Sequence, residues 1–400
     1  MIWGIDTQRS RRPSPLLCTV LLALAALVAA APAQAAFAPA KNGQIVFERS
    51  SPGISDVFAI NSDGSSPLNL TNNVSGGFDD NSPEYSPNGR SITFWRCGDS
   101  CDIALMSADG SGLTNLTPTA TPVEETRPTF SPDGKRIAFS SQNASDEDTA
   151  DIFVMNPGGS GQVNLTNTPA PTGEIDATYS PDGRTIFYTR LDAAGEHIWS
   201  MNADGSGQTQ LTFGTGDDFG PTVSPDGKRL AFSRCAGPDC TFAIVVKDLG
   251  SGAETPLAGA ALDDFEPAFS PDGKRIAFSA EVAPSRRALA VMDADGSGAA
   301  TITTPSGIDD DSSPAWEHIY RCGGRRATIV GDDGPDKIKG TKKKDVIVAN
   351  GGKDKVSGRG GSDLICLGKG KDSVNGGGGN DKCIGGKGKD KGKGCEKGKL

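Results

Sequence analysis

The C-terminal part of the chain carries aspartates at a regular spacing of nine residues. The series is Asp336, Asp345, Asp354, Asp363, Asp372, Asp381 and Asp390. Most members follow a glycine by two residues and precede an apolar residue by two, as Gly361 and Ile365 flank Asp363. Carboxylate oxygens are the ligands that hard cations prefer, so the first chemistry that this series indicates is cation binding.

Acidic residues also recur at wider intervals between positions 79 and 311, each time just before a short strand-like run. They are Asp79-Asp80, Glu124-Glu125, Glu174 with Asp176, Asp217-Asp218, Asp263-Asp264 and Asp309-Asp310-Asp311. Two interpretations are open. The acids are solvated loop residues, or they form a negative surface that receives a cation or a basic segment of a partner.

Residues for covalent catalysis are scarce. The chain contains no Gly-x-Ser-x-Gly motif, and only His197 and His318 could act as a general base. Both are interpreted as ordinary strand residues, because no catalytic partners accompany them. We therefore predict no catalytic residues and a protein that is not an enzyme.

Eight cysteines follow the N-terminal segment. Cys97 with Cys101, and Cys235 with Cys240, each lie between two strand-like runs, which predicts disulfides across hairpin mouths. Zinc is the alternative for such short pairs, but no histidine lies near them. The other four are Cys322, Cys366, Cys383 and Cys395. Four cysteines allow three connectivities, of which we favour Cys322–Cys366 and Cys383–Cys395.

The N-terminus is typical of an export signal. Three arginines at positions 9, 11 and 12 precede an apolar run from Leu16 to Ala31, and Ala33-Gln34-Ala35 is a small-x-small cleavage sequence. We predict a signal peptide over residues 1–35, of either the general or the twin-arginine type, with an uncleaved anchor as the alternative. Together with the cysteines, this predicts a secreted, extracellular or periplasmic location and no integral membrane domain.

Internal repeats organise residues 36–321. Four Ser-Pro-Asp-Gly turns recur, with Ser86-Pro87-Asn88-Gly89 as a near copy and Ala40-Lys41-Asn42-Gly43 as a degenerate one. The four begin at Ser131, Ser180, Ser224 and Ser270. Proline presets φ at the second turn position and glycine accepts a positive φ, so each turn joins two strands. Their spacing of roughly 45 residues is that of one four-stranded propeller blade.

Each turn is followed by an apolar strand such as Arg136–Phe139 and a second strand such as Asp151–Met155. An Ala-Asp-Gly turn then recurs at Ala108, Ala203 and Ala294, and a Leu-Thr ending at Leu70, Leu116, Leu165 and Leu211. This succession resembles the PD40 repeats of TolB-like propellers. The resemblance implies an all-β fold with a six-bladed β-propeller of four-stranded blades over residues 36–321. The segment Ser313–Trp316 lacks a hairpin after it and is expected to close the ring with the strand around Ile45–Phe47. The acidic pairs would then surround one mouth of the central channel.

The segment 322–400 resembles the RTX (hemolysin-type) calcium-binding nonapeptide repeats, which implies a small parallel β-roll. The resemblance assigns Ca²⁺ to the seven aspartates. Lysines depart from the pattern at Lys342, Lys343, Lys344, Lys353, Lys369, Lys371, Lys387 and Lys389. Their charge is expected to weaken cation binding, and a solvated low-complexity tail is the alternative.

Together these features predict an exported non-catalytic binding or scaffold protein. The propeller would engage a protein or cell-envelope ligand, the C-terminal repeats would bind calcium, and no nucleic acid is expected as a partner. The alternative is an extracellular lyase or hydrolase that uses the channel mouth. Because the propeller segment is acidic and the C-terminal segment basic, docking of the tail on a propeller is a further hypothesis.

Overall fold

The computed structural model describes residues 41–73, 77–118, 123–143, 146–236, 240–257, 263–307, 309–332 and 334–395. Every regular element within these ranges is a β-strand. No helix in the described part of the chain is long and apolar enough to cross a membrane. The predicted signal peptide lies outside the described residues.

The strands up to residue 319 form six four-stranded units within the described ranges, here called blades 1 to 6. Three strands open the chain: β1 (Lys41–Ser51), β2 (Ile54–Ile60) and β3 (Leu68–Asn69). Blade 1 contains β4 (Asp79–Tyr85), β5 (Ser91–Cys97), β6 (Cys101–Ser107) and β7 (Thr114–Asn115). Blade 2 contains β8 (Val123–Phe130), β9 (Ile137–Asn143), β10 (Asp146–Met155) and β11 (Val163–Asn164). Blade 3 contains β12 (Gly173–Tyr179), β13 (Thr185–Asp192), β14 (Gly195–Asn202) and β15 (Thr209–Gln210).

Blade 4 contains β16 (Asp217–Val223), β17 (Arg229–Ala236), β18 (Thr241–Asp248) and β19 (Glu254–Pro256). Blade 5 contains β20 (Asp264–Phe269), β21 (Arg275–Ala283), β22 (Arg286–Asp293) and β23 (Ala300–Thr301). Blade 6 combines β24 (Asp310–Ile319) with β1, β2 and β3. The innermost strands β4, β8, β12, β16, β20 and β24 contact one another in a closed ring. The predicted fold class, an all-β protein with a β-propeller, is therefore confirmed.

The blades are not all separate sheets. Blades 2 to 5 are four separate four-stranded sheets in the described chain, whereas blades 1 and 6 share an eight-stranded sheet. The two are joined by one parallel pair, Ser55 with Asp79. Four blades are thus separate sheets where six were predicted, because this single bridge merges the other two into one sheet.

The two ends of the propeller segment close the ring in one blade. Strand β24 pairs antiparallel with β1, with Trp316 opposite Ile45 and Ala315 opposite Val46. The segment predicted to close the ring is the one that does so. Since blade 6 takes strands from both ends of the segment, opening the ring requires breaking an antiparallel sheet.

The turn sequence explains why the two inner strands of a blade pair. In blade 2, the Ser131 hydroxyl donates to Asp133 Oδ1 at 2.7 Å and accepts from the backbone N–H of Arg136 at 2.9 Å. Gly134 has a φ of +67°, which L side chains rarely adopt. The second strand of each blade then buries one large aromatic ring in the core. These rings are Phe47, Phe94, Phe139, Tyr188, Phe232 and Phe278.

The segment 321–393 begins with a short antiparallel hairpin and continues as a parallel β-roll. Its strands are β25 (Arg321–Cys322), β26 (Arg325–Arg326), β27 (Ile329–Val330), β28 (Lys337–Lys339), β29 (Val346–Val348), β30 (Gly351–Gly352), β31 (Lys355–Ser357), β32 (Leu364–Cys366), β33 (Lys369–Gly370), β34 (Ser373–Asn375), β35 (Lys382–Ile384) and β36 (Lys391–Lys393). Two four-stranded parallel sheets, β27-β29-β32-β35 and β28-β31-β34-β36, face each other. Between them lies an apolar core that includes Ile347, Val356 and Ile365. This packed core contradicts the alternative of a solvated low-complexity tail.

Four disulfides tie the structure. They join Cys97 to Cys101, Cys235 to Cys240, Cys322 to Cys366, and Cys383 to Cys395, the pairs favoured from the sequence. The first two close hairpins of blades 1 and 4. The other two lie in the β-roll, which has little core of its own.

Candidate metal centre

The periodic aspartates lie in two rows, one at each edge of the β-roll. Asp336, Asp354, Asp372 and Asp390 form one row, and Asp345, Asp363 and Asp381 form the other. Within a row, the backbone N–H of one aspartate donates to Oδ1 of the aspartate 18 residues later, as Asp345 does to Asp363 at 2.9 Å. Each bond fixes a carboxylate and leaves its second oxygen for another partner.

Four of these five second oxygens are buried and have no partner in the described chain, whereas that of Asp390 accepts from the Gly386 N–H. In the described chain, Oδ2 of Asp354, Asp363, Asp372 and Asp381 makes no hydrogen bond, and these residues are at most 2 % exposed. A buried carboxylate oxygen without a partner is costly, because it loses hydration and gains nothing in return. A cation in each row would supply the missing partner.

The turns beside each row bring backbone oxygens close to the carboxylates. Gly370, with a φ of +144°, lies so close to the coil before it that an added Cβ would stand 1.6 Å from the Gly352 carbonyl oxygen. Gly361 and Gly379 also have a positive φ, whereas the nonapeptide at Asp345 has Lys343 in this position. Carboxylate and carbonyl oxygens together are the donor set of Ca²⁺ sites, so the residues present fit this ion.

Electrostatics within the rows favour a cation as well. Burial raises the pKa of Asp354 to about 7, and the neighbouring charges of Asp372 and Asp336 act in the same direction against a hydrogen bond from the Asp336 N–H. Burial also raises the pKa of Asp363 and of Asp372. A bound dication would reverse these shifts by stabilising the charged form.

We expect the calcium-free β-roll to lose stability as the pH rises from about 4 to about 7. Between the unfolded-state and folded-state pKa values, the folded roll holds protons that the unfolded chain has released, so each rise in pH favours unfolding. The stability that these groups contribute at low pH is therefore lost by the time the pH has passed the folded-state pKa. Thermal unfolding in EGTA, compared between the wild type and Asp354→Asn, would measure the contribution of this group. Saturating calcium should remove this loss of stability from the wild type, because a bound dication keeps the carboxylates ionised. A wild type in EGTA that gains more stability than Asp354→Asn over this range would contradict the expectation.

The lysines that depart from the repeat pattern lie at the surface of the β-roll. Lys342, Lys343, Lys344, Lys353, Lys369, Lys371, Lys387 and Lys389 are all exposed, whereas Asp345, Asp354, Asp363 and Asp372 are buried. Charges in water are screened far more strongly than charges in the interior. The lysines therefore oppose a bound cation less than their number in the sequence indicated.

The first members of the propeller's acidic pairs tie neighbouring blades together. Asp79 accepts a hydrogen bond from the backbone N–H of Ser55, and Asp217 accepts one from Glu196, at 2.9 and 3.1 Å. Asp263 and Asp310 accept equivalent bonds from Phe242 and Arg287. In each case the donor lies in the adjacent blade, so these carboxylates hold the blades in register. Asp309 instead accepts from the Ser51 hydroxyl at 2.7 Å.

Four other acids of these groups are each buried beside an arginine of their own blade. Asp80 pairs with Arg96, and Asp218 with Arg234, each at 2.6 Å. Asp311 pairs with Arg49 and Glu174 with Arg190. Glu124 and Glu125 lie in β8, opposite Gln142 and Ser141. Asp264 lies opposite Ala280, and burial followed by the charge of Asp263 raises its pKa to about 6.

These arginine partners were not predicted from the sequence, although their regular spacing from the acids indicates them. In blades 1, 3 and 4 the arginine follows its acid by 16 residues. These ion pairs and hydrogen bonds hold the ring together. They favour a structural role for the acids over a free negative surface. A ligand at an acidic channel mouth stays a prediction.

The two histidines lie in different blades. His197 is buried in β14 opposite Arg190, and His318 lies in β24 with its ring stacked on Tyr320. Burial lowers the pKa of His318 to about 4. The structure does not bring them together, so they do not form one catalytic site.

Comparisons with known proteins agree with both parts of the fold. The family model for the TolB beta propeller domain matches residues 119–320, and that for the RTX calcium-binding nonapeptide repeat (4 copies) matches residues 330–365 and 368–391. No curated protein sequence matches the chain.

Solved structures with similar folds include TolB from Acinetobacter baumannii, 22% identical with a TM-score of 0.59; the match covers 69% of this chain and 66% of that one. A protein assigned as TolB from Agrobacterium tumefaciens is 19% identical with a TM-score of 0.50, over 70% of this chain and 99% of that one. Hydrazine synthase from Kuenenia stuttgartiensis is 15% identical with a TM-score of 0.58, over 70% and 47%. At such identities the likeness shows the fold alone.

Proposed function

This chain belongs to the TolB β-propeller family, and from that premise we propose that it is an exported, non-catalytic binding protein whose β-roll binds calcium. The observation that carries the calcium part is the set of buried, unpartnered carboxylate oxygens at Asp354, Asp363, Asp372 and Asp381. A structural role alone would leave these oxygens without compensation.

Calcium suits the rows because it accepts six to eight oxygen ligands in flexible geometry. Asp354 and Asp372 would contribute carboxylate oxygens on one edge, and Asp363 and Asp381 on the other, with backbone carbonyls of the stacked turns as further ligands. Because the ligand rows exist only in the folded roll, binding is coupled to folding. Export to a calcium-rich medium would then complete the fold of the C-terminal part.

The propeller is proposed to bind a protein or cell-envelope ligand outside the cytoplasm. The four disulfides of the described chain, two in the blades and two in the β-roll, fit an oxidising compartment. The internal ion pairs, such as Arg234 with Asp218, make the ring a stiff support for such a surface. The proposal of a binding protein with calcium-binding repeats does not depend on the identity of this ligand.

Calcium titration of the full exported chain tests the proposal. We expect saturable binding in isothermal titration calorimetry at or below millimolar calcium. In Asp354→Asn/Asp363→Asn/Asp372→Asn most of this binding should disappear, because each substitution keeps the shape of the side chain and removes the charge that a dication requires.

A matched control has the same charge change in exposed propeller turns. Asp109→Asn/Asp204→Asn/Asp295→Asn keeps the Oδ1 acceptor that bonds a serine two residues on, and should bind calcium as the wild type does. Equal loss in both triple variants, or a wild type that binds nothing at millimolar calcium, would refute a calcium-binding β-roll.

A further inference from the structure

The first coil of the β-roll meets the propeller at the hairpin of blade 2. The described residues belong to one compact unit, and in it carboxylate oxygens of Asp133, Asp332 and Asp336 all lie within 4.8 Å of one another. Asp133 belongs to the turn between β8 and β9, whereas the other two belong to the first coil. Asp332 also lies beside the blade 3 turn, since a Cβ on Gly183 would stand 3.3 Å from its Oδ2.

We propose that Asp133, Asp332 and Asp336 form a calcium site that is shared between the propeller and the β-roll. This inference rests on the proposed calcium binding of the roll and adds a ligand from outside the nonapeptide repeats. Calcium would then join the two parts of the chain in addition to ordering the roll.

The charge at this junction is not balanced by the protein. Lys135 is the one cation paired with the cluster in the described chain, with Nζ 2.5 Å from Asp133 Oδ2 and 3.5 Å from Asp336 Oδ1. Its side chain is 62% exposed, so it can turn into solvent when a dication enters. One mobile ammonium facing three carboxylates leaves an excess of negative charge that a dication would neutralise.

The extra carboxylate is specific to the coil that faces the propeller. Asp332 stands four residues before Asp336, and its backbone N–H donates to Asp336 Oδ2 at 2.8 Å. At the same place in the later coils the chain has Thr341, Asn350, Arg359, Gly368, Gly377 and Gly386. An acid therefore occurs only where the propeller supplies Asp133 as a third carboxylate.

A buried oxygen without a partner lies beside this cluster. Asp354 is 1% exposed, its Oδ1 accepts from the Asp336 N–H at 2.9 Å, and its Oδ2 has no hydrogen bond in the described chain. The bond to Asp336 places this carboxylate next to the cluster, so the row of ligands in the roll continues into the junction. The backbone oxygen of Asp182 lies beside Gly334 and adds a neutral donor from blade 3.

Calcium stoichiometry of the full chain tests this site. We expect Asp133→Asn to bind one calcium ion fewer per chain than the wild type in isothermal titration calorimetry. The hairpin itself should tolerate asparagine, because Asn88 holds the same position in blade 1 and accepts from the Ser86 hydroxyl at 3.1 Å.

Asp226→Asn is the matched control. Asp226 occupies the same turn position in blade 4, where it accepts from the Ser224 hydroxyl at 2.6 Å, and it is not part of the cluster. This variant should retain the full stoichiometry. Lys135→Met removes the competing ammonium and should tighten the junction site about tenfold.

The outcomes separate this inference from the proposed function. Undiminished stoichiometry in Asp133→Asn, with the roll still binding calcium, would overturn the junction site and leave the calcium-binding β-roll intact. A wild type without calcium binding would overturn both. If Asp133→Asn unfolds in EGTA while Asp226→Asn does not, Lys135→Met decides: a tighter site supports the inference, and unchanged affinity overturns it.

Discussion

Replacing Arg234 with methionine should cost the protein about 3–5 kcal/mol of unfolding free energy. Arg234 bonds both oxygens of Asp218, at 2.6 and 2.9 Å, and Asp218 is 1% exposed. Removing the guanidinium leaves a buried carboxylate that has lost its hydration and its counter-charge. Such a group is expensive even if it takes up a proton, because protonation at neutral pH costs free energy as well.

Chemical denaturation at pH 7 with saturating calcium and intact disulfides measures this loss. Arg184→Met is the control, because Arg184 is exposed in the hairpin of blade 3 and its loss should change stability by roughly 0.5 kcal/mol or less. The double variant Asp218→Asn/Arg234→Met should recover part of the stability, since it leaves no uncompensated charge. A loss in Arg234→Met as small as that in Arg184→Met would show that this pair does not hold the blade.

The propeller could be recognised from the sequence because its turns are determined locally. Proline, aspartate and glycine in the turn at Ser131–Gly134 set its backbone and its hydrogen bonds within six residues. The repetition of that turn carries the blade period, so the fold class follows without any long-range contact. The same holds for the β-roll, where each nine-residue unit contains its own turn and strand.

The innermost strands contain a feature that the sequence did not reveal. Each has a bulge at a residue with positive φ, and only Gly220 among the six is a glycine. The others are Ser82, Arg127, Asp176, Glu266 and Ser313. Residues of these types rarely adopt such a φ, so local propensity predicts the opposite. The bulge is imposed by the packing of the innermost strands around the ring, which is a tertiary effect.

The acidic pairs show the limit of reading one strand at a time. Asp80 alone looks like a solvent-exposed loop residue, yet strand pairing places it opposite Arg96 and buries it. The junction cluster was even less predictable from the sequence, because Asp133 and Asp332 are separated by about two hundred residues and meet only when the roll contacts the propeller. Sequence periodicity identified the candidate ligands in the roll and could not identify a ligand supplied by the propeller.

Removing the Cys322–Cys366 disulfide should destabilise the β-roll by about 4 kcal/mol, the loop-closure entropy for cysteines this far apart. The bond spans 44 residues and joins β25, at the start of the C-terminal part, to β32 in the roll. Both cysteines are buried, among Val346, Val348 and Leu364. Because the roll has a small core, a constraint of this size is a large part of its stability. Calorimetry of Cys322→Ala/Cys366→Ala at fixed calcium would follow the unfolding of the roll.

The Cys97–Cys101 bond provides the comparison, because it closes a hairpin with a sequence separation of only 4. The same entropy argument predicts a loss of about 2 kcal/mol for Cys97→Ala/Cys101→Ala, in the propeller. Equal losses in the two double variants would show that local packing and not loop closure sets the contribution of these bonds. A larger loss at Cys322–Cys366, confined to the transition that responds to calcium, would show that the disulfide and the metal stabilise the same unit, the disulfide by restricting the unfolded chain and calcium by binding only the folded one.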